Sequence, residues 1–200
     1  MQGAVLEESK STLRRAILTR RRSLSPATFR SWNRSIQNKA LGFPYYLSAE
    51  AVTLYSPIEN EVGTDAILAD ALARKKQVFY PRIDNQESAW FFEISSATEL
   101  RAGRFGIPEP APIKALSVVD RKGNLIVFVP GVAFDLGGQR LGRGGGWYDR
   151  MLDGLKNHGI FVGLAFEFQV VDRLATAVWD QTVHYVITEK RVIDCGDSTP

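Results

Sequence analysis

Leu125-Ile126-Val127-Phe128-Val129 is an unbroken apolar run, too short for an ordinary helix and the right length for a buried strand. Pro130-Gly131 breaks it, and a glycine-dense loop, Gly142-Arg143-Gly144-Gly145-Gly146, then leads into a helix-compatible segment from Trp147. Strand, loop and helix start in that order confine the chain to folds that alternate strands with helices. The rest of the sequence keeps the alternation without internal repeats. The expectation is therefore a single α/β layered domain over residues 1–200, with a mostly parallel sheet flanked by helices and antiparallel edges allowed.

The same loop has a chemical reading. Glycine lacks a Cβ and tolerates positive φ, so the backbone can approach an anion closely, and a helix start offers N–H groups that have no partner inside the helix. Arg140 and Arg143 add forked donors suited to phosphate oxygens. The pattern is neither a P-loop, since no Gly-x-x-x-x-Gly-Lys-Ser/Thr occurs, nor the dinucleotide fingerprint. A flexible surface loop is the competing reading from glycine content alone.

Ahead of the loop, Leu6, Leu13, Ile17 and Leu24 fall on one stripe at roughly 100° per residue, predicting an amphipathic first helix. Lys10 and Arg14, four apart, project near the edge of that stripe. They either snorkel over apolar surface or aim two cations into a polyanion site. Ser25-Pro26 reads as an N-cap with a first-turn proline for a second helix ending near Leu41. Ala51–Tyr55 reads as a strand, and Thr64 as the N-cap of a helix over Asp65–Lys75. Glu61 thus falls between a strand's C-terminal end and the next helix, the edge where open α/β sheets place ligands, with Glu59 its competitor. Gln77–Tyr80 closed by Pro81, Ala89–Ile94, Phe161–Phe166, His184–Thr188 and Val192–Cys195 read as strands, Trp147–Lys156 as a helix and Gly196–Pro200 as a frayed tail. Arg82 and Arg104 are weaker anion-binding candidates.

Charge is unevenly spread. Residues 1–40 carry nine Lys/Arg against Glu7 and Glu8, whereas the remainder is acidic on balance. Arg20-Arg21-Arg22 within this arm could meet nucleic acid, but without interleaved aromatics a solvated helix face is preferred and no nucleic-acid partner is expected. The single cysteine, Cys195, excludes an internal disulfide framework. No apolar run approaches the roughly 20 residues that cross a bilayer. The expected address is the cytoplasm, without a membrane partner, and the expected state a monomer.

Two segments carry a resemblance. Pro130-Gly131-Val132-Ala133-Phe134-Asp135 and Gly138-Gln139-Arg140-Leu141-Gly142-Arg143-Gly144-Gly145-Gly146-Trp147-Tyr148-Asp149-Arg150 resemble the hallmark of the 5-formyltetrahydrofolate cyclo-ligase family, with Trp147 in place of the usual tyrosine. Lys10 and Arg14 match its Lys-x-x-x-Arg, Glu61-Val62-Gly63-Thr64 its Glu-x-x-Thr, and Gly106-Ile107-Pro108-Glu109-Pro110 its Gly-Ile-x-Glu-Pro.

The resemblance implies an architecture shared with CoA-transferase-like and sugar-phosphate isomerase proteins. It also implies ATP-dependent cyclisation of 5-formyltetrahydrofolate to 5,10-methenyltetrahydrofolate with release of ADP and phosphate. The formyl oxygen would be phosphorylated, so the demand is for positioning and charge neutralisation rather than a covalent nucleophile. The implied ATP set is Lys10, Arg14, Arg140, Leu141, Gly142, Arg143, Gly144, Gly145, Gly146, Trp147 and Tyr148, with Arg143 and Lys10 stabilising phosphoryl charge. The implied folate set is Glu61, Tyr55, Trp147 and Tyr148. Mg2+ would fall to Asp149. The second acidic ligand the family places before Val-Ile-Thr-Glu is here His184, a poor magnesium ligand, so Asp180, water or the phosphates would complete the shell. The other readings are a non-catalytic folate- or nucleotide-binding homologue and an RNA-associated module. Asp149→Ala and Arg143→Ala are expected to lower turnover far more than stability.

Overall fold

The computed structural model describes residues 2–83, 89–117, 124–177 and 179–196, with side chains from Lys10 onward apart from Arg104. The contribution of Leu6 to the first stripe, the Arg104 side chain and the tail beyond Gly196 lie outside the described residues. In chain order the helices are α1 (Gln2–Arg22), α2 (Pro26–Leu41), α3 (Pro44–Ser48), α4 (Asp65–Ala73) and α5 (Trp147–Asp153). The strands are β1 (Ala51–Thr53), β2 (Gln77–Ile83), β3 (Ala89–Ile94), β4 (Arg101–Ala102), β5 (Pro108–Glu109), β6 (Leu125–Val129), β7 (Ala133–Asp135), β8 (Arg140–Leu141), β9 (Ile160–Leu164), β10 (Val170–Val171), β11 (Tyr185–Ile187) and β12 (Val192–Asp194).

The main sheet runs β12-β11-β9-β6-β1-β2-β3. Strands β11, β9, β6, β1 and β2 are mutually parallel, and β12 and β3 close the two edges antiparallel. The expected α/β class with a mostly parallel sheet is thus the observed one. Every residue of β6 is at most 1% exposed, as its composition requires. Ile126 and Phe128 pack with α2, α3 and α4 on one face, while Leu125, Val127 and Val129 pack with Met151 and Leu152 of α5 on the other. Each such side chain contributes roughly 1.5–3 kcal/mol by leaving water, so β6 anchors both layers. A smaller sheet, β10-β7-β8, receives α1, whose Ile17 packs against Val132, Ala133, Leu141 and Leu174. Among the described residues no helix is long and apolar enough to cross a membrane.

Several local expectations shift for physical reasons. Ser25 caps α2 as expected, its hydroxyl accepting from Thr28 N–H at 3.1 Å ahead of Pro26. Thr64 does not cap α4, because its hydroxyl donates to the Tyr55 carbonyl at 2.9 Å. Gln37 of α2 serves instead, accepting from Ala66 N–H at 2.8 Å and donating to Asp65 at 3.1 Å. Strand β2 continues through Pro81 to Ile83: β1 pairs only as far as Phe79, so beyond it no described strand on that side needs the missing proline N–H. Helix α5 ends at Asp153 rather than Lys156, capped at Gly154. Strands β1, β9, β11 and β12 are shorter by one or two residues than their apolar patterns.

Candidate active site

The order of the parallel strands reverses between β1 and β6: from β1 the chain proceeds outward to β2, and from β6 in the other direction to β9 and β11. The connections leaving the C-terminal ends of these two neighbours must diverge, and a crevice opens between them. A cavity of about 550 Å³ lies there. Tyr55, Ser56, Ile58 and Glu61 enter it after β1; Pro130, Gly131 and Val132 after β6. The glycine loop, Trp147 and Tyr148 of α5, Lys10 and Arg14 of α1, and Asp180 complete it.

The loop after β1 folds back on itself. Glu59 and Asn60 turn with positive φ, Glu61 N–H donates to the Ile58 carbonyl at 3.0 Å, and Ile58 N–H donates to Glu61 Oε2 at 3.1 Å. The Tyr55 hydroxyl donates to the Val62 carbonyl at 2.8 Å, holding the far end. Glu61 is thereby presented as a buried carboxylate, 8% exposed, with Arg143 Nε at 3.7 Å and Arg21 Nη2 at 3.6 Å. Burial pushes its carboxyl above the usual carboxylate range, and Arg21, the Ile58 N–H and Arg143 oppose that rise. Glu59 bonds Arg143 and Arg22, each at 3.0 Å, and these bonds pull its carboxyl below the usual range. It is exposed and does not line the cavity.

Beneath the glycine loop, Asp135 organises the small sheet. Its Oδ1 accepts from Gly137 and Gln139 N–H at 3.0 and 2.9 Å, and its Oδ2 from Leu174 N–H at 2.8 Å. Arg140 then leaves β8 with a side chain only 4% exposed, Nη2 bonding Asp149 Oδ1 at 2.7 Å and the guanidinium 5.6 Å from the Tyr148 ring centroid. Arg14 Nε donates to the Gly142 carbonyl at 2.9 Å, fastening α1 to the loop. Leu141 is buried beside it, and Gly144, Gly145 and Gly146 face the cavity, Gly144 and Gly146 with positive φ.

Lys10 Nζ meets Asp180 Oδ2 at 3.1 Å, and Ala177 N–H donates to the same oxygen at 2.8 Å. The Tyr148 hydroxyl is buried with no hydrogen-bond partner among the described residues, and burial pushes its pKa well up. Trp147 carries the Arg150 guanidinium 4.4 Å from its ring centroid.

His184 does not join the site. Its Nδ1 accepts from Phe161 N–H at 2.9 Å, its ring lies 5.3 Å from that of Phe161, and it is absent from the cavity wall. Burial lowers its pKa, which suits a neutral acceptor in the sheet. Asp180, four residues earlier, occupies the wall. Arg82 donates to the Pro110 carbonyl at 2.8 Å and is not part of the lining.

Arg21 reads in the sequence as one of three consecutive arginines of a basic arm, whereas the structure buries it beside Glu61 while Arg20 lies 4.6 Å over the Phe168 ring and Arg22 bonds Glu59. A signal existed: Lys10, Arg14, Ile17 and Arg21 succeed one another at helical spacings of four, three and four, on a single face. Phe105 and Trp179, 74% and 73% exposed, stand at the cavity rim, and Glu109 is buried in its wall; periodicity marks none of them.

A reversed parallel sheet with a cationic glycine loop facing a buried carboxylate across one cavity defines an α/β enzyme site for small anionic substrates. The chain belongs to the 5-formyltetrahydrofolate cyclo-ligase family, whose model matches residues 6–189. It is 30% identical over 176 residues to the 5-formyltetrahydrofolate cyclo-ligase of Haemophilus influenzae, covering 86% of this chain and 94% of that one. Against the Escherichia coli K12 cyclo-ligase it is 28% identical over 183 residues, covering 88% and 98%. The 5,10-methenyltetrahydrofolate synthetase structure from Aquifex aeolicus superposes with a TM-score of 0.81 at 34% identity, covering 96% of this chain and 95% of that one. The Mycoplasma pneumoniae synthetase gives 0.72 at 25% identity, covering 90% and 98%. The enzyme class and reaction expected from the sequence stand with that membership, and the family is ATP-dependent.

Proposed function

We propose that this one cavity carries out both halves of the ring closure, with ATP along the glycine loop and 5-formyltetrahydrofolate against Glu61. The observation that supports it most is Arg143, which leaves the glycine loop and reaches within 3.7 Å of Glu61. A γ-phosphate on that loop would then lie beside a folate held by that carboxylate. The formyl oxygen attacks the γ-phosphorus as ADP leaves; the neighbouring aniline nitrogen then attacks the activated formyl carbon and gives up its proton to the departing phosphate, which carries away the former formyl oxygen.

Each residue has an assigned task. Lys10 and Arg143 neutralise phosphate charge, while Gly144, Gly145 and Gly146 let the backbone approach it. Arg14 secures the loop through Gly142, and Arg140 holds Asp149 at the start of α5. Leu141 fixes the loop's root in the core. Glu61, when ionised, accepts pterin N–H donors; Trp147 packs on the substrate and Tyr148 offers its hydroxyl, with Tyr55 keeping the Glu61 loop in place.

Asp149 and Asp180 suit Mg2+ as hard oxygen donors on the cavity wall, each carrying a cation on one oxygen. Mg2+ would supply charge neutralisation across the phosphates. The intramolecular contacts of Arg20, Arg21 and Arg22 support a protein acting on small molecules rather than nucleic acid. A cytoplasmic monomer is the accompanying proposal, to be checked by fractionation and sedimentation.

The test is the absorbance rise of methenyltetrahydrofolate when protein meets 5-formyltetrahydrofolate, ATP and Mg2+. ATP-dependent product that is reduced in Glu61→Gln supports the assignment. Folded protein that binds folate yet makes no product would instead support a non-catalytic homologue.

A further inference from the structure

We propose that Arg21 is the fixed counter-charge of Glu61, a positioning residue that holds the folate-facing carboxylate in place when phosphate draws Arg143 away. This rests on the reading above that Glu61 meets folate and Arg143 meets phosphate.

The two cations beside Glu61 differ in freedom. Arg143 has a side chain 36% exposed, sits among glycines and divides its donors between Glu59 and Glu61. Arg21 is 0% exposed and pinned through Nε to the Glu59 carbonyl at 2.9 Å, with Nη2 3.6 Å from Glu61 Oε1. Arg143 lines the cavity; Arg21 stands behind Glu61, outside the lining. Neither Nη1 nor Nη2 of Arg21 has a hydrogen-bond acceptor among the described residues. A buried guanidinium whose two ends lack hydrogen-bond acceptors is costly to keep, and a hydrophobic side chain in its place would pack at less cost. The charge it offsets is that of Glu61.

The need appears during turnover. Once phosphate takes Arg143, Glu61 without Arg21 would be a carboxylate buried without a cation, and such a group neutralises by taking a proton. A protonated carboxyl accepts fewer pterin N–H donors. Burial already raises the Glu61 carboxyl, and the charge of Arg21, the Ile58 N–H and Arg143 oppose that rise. Among the described residues, the other groups interacting with Glu61 are the Tyr55 and Tyr148 hydroxyls, both pushed up by burial and neutral through the accessible range, while Glu59, paired with Arg22 and Arg143, stays ionised. A change of folate affinity with pH in this region therefore belongs to Glu61.

The experiment is equilibrium binding of 5-formyltetrahydrofolate, followed by tryptophan fluorescence from about pH 6 to about pH 9, with and without a non-hydrolysable ATP analogue. Wild type, Arg21→Met, Arg21→Lys and Glu61→Gln are compared. Arg21→Met is expected to weaken folate binding about ten-fold or more at the acid end and to recover affinity as pH rises, the displacement growing with the analogue bound. Affinity for the analogue itself should stay within about two-fold. Arg21→Lys, which keeps the charge without the fork, should shift less, and the Arg21→Met/Glu61→Gln double variant should lose the pH dependence. If Arg21→Met does not fold, Arg21→Lys carries the test through its smaller shift. A folded Arg21 variant with the wild-type profile, or an equal pH-independent loss of folate and nucleotide affinity, overturns the inference. Wild-type protein that ignores 5-formyltetrahydrofolate, or Glu61→Gln that binds it as tightly, overturns the underlying site reading as well.

Discussion

Arg140 Nη2 stands 2.7 Å from Asp149 Oδ1, tying the end of β8 to the first turn of α5 across the whole glycine loop. The Arg140 side chain is only 4% exposed and its Nε already lacks an acceptor, so this carboxylate is its one strong partner among the described residues. The sequence, read locally, expects Asp149→Ala to spare stability; the pair changes that expectation. Asp149→Ala should destabilise by about 3 kcal/mol, because it strands a buried cation, and Asp149→Asn by less. Urea unfolding at neutral pH measures this. An unchanged midpoint in Asp149→Ala would show that the pair contributes nothing.

Asp180 and His184 can be separated as metal-site candidates by a magnesium titration of turnover. Asp180→Asn is expected to raise the half-saturating concentration about ten-fold or more. His184→Ala should leave it unchanged while costing about 1 kcal/mol of stability, since it removes the acceptor for Phe161 N–H. The reverse pattern would return the metal to His184.

Two glycines with positive φ make opposite predictions. At Gly138, φ +80°, a Cβ would come within 2.2 Å of the Val183 carbonyl oxygen, so Gly138→Ala must push two segments apart and should cost about 3 kcal/mol or more. Gly144, φ +104°, has nothing within 4 Å of such a Cβ. Gly144→Ala should cost about 1–2 kcal/mol by backbone strain, with its main effect a higher KM for ATP. Thermal unfolding and ATP kinetics check both, and an unchanged ATP KM in Gly144→Ala would remove this position from the phosphate site.

Cys195, 6% exposed, has its thiol pushed up to about 11 by burial, with Asp135 and Asp194 adding to the rise. At pH 8 only about one molecule in a thousand then carries a thiolate, so an aromatic disulfide reagent should react slowly with native protein and rapidly in urea. The sign of the linked stability follows. The folded state holds the proton more tightly, so this contribution is complete below the ordinary thiol value of 9.0 and is lost as pH climbs through about 11. Equal labelling rates in folded and unfolded protein would contradict the burial.

What the chain states locally it states well. The apolar run of β6 and the Ser25-Pro26 start of α2 depend on neighbours a few residues away, and both are found where the pattern puts them. Lys10, Arg14, Glu61 and the glycine loop likewise reach one cavity, because each lies at an element end whose direction the alternation of strands and helices sets. Tertiary structure decided which of two similar groups reaches the cavity. Glu61 rather than Glu59 faces inward because Tyr55 and Ile58 close the loop around it. Asp180 rather than His184 lines the wall because the β9–β11 pairing turns the imidazole toward Phe161 N–H. Gln37 caps α4 from another helix, and Arg21, which shares a helical face with Lys10 and Arg14 in the sequence, is buried beside a carboxylate forty residues away in the chain. Propensity and periodicity act over a turn or two of chain, whereas burial and charge pairing depend on which distant segments are packed against each other, and only the folded chain brings those together.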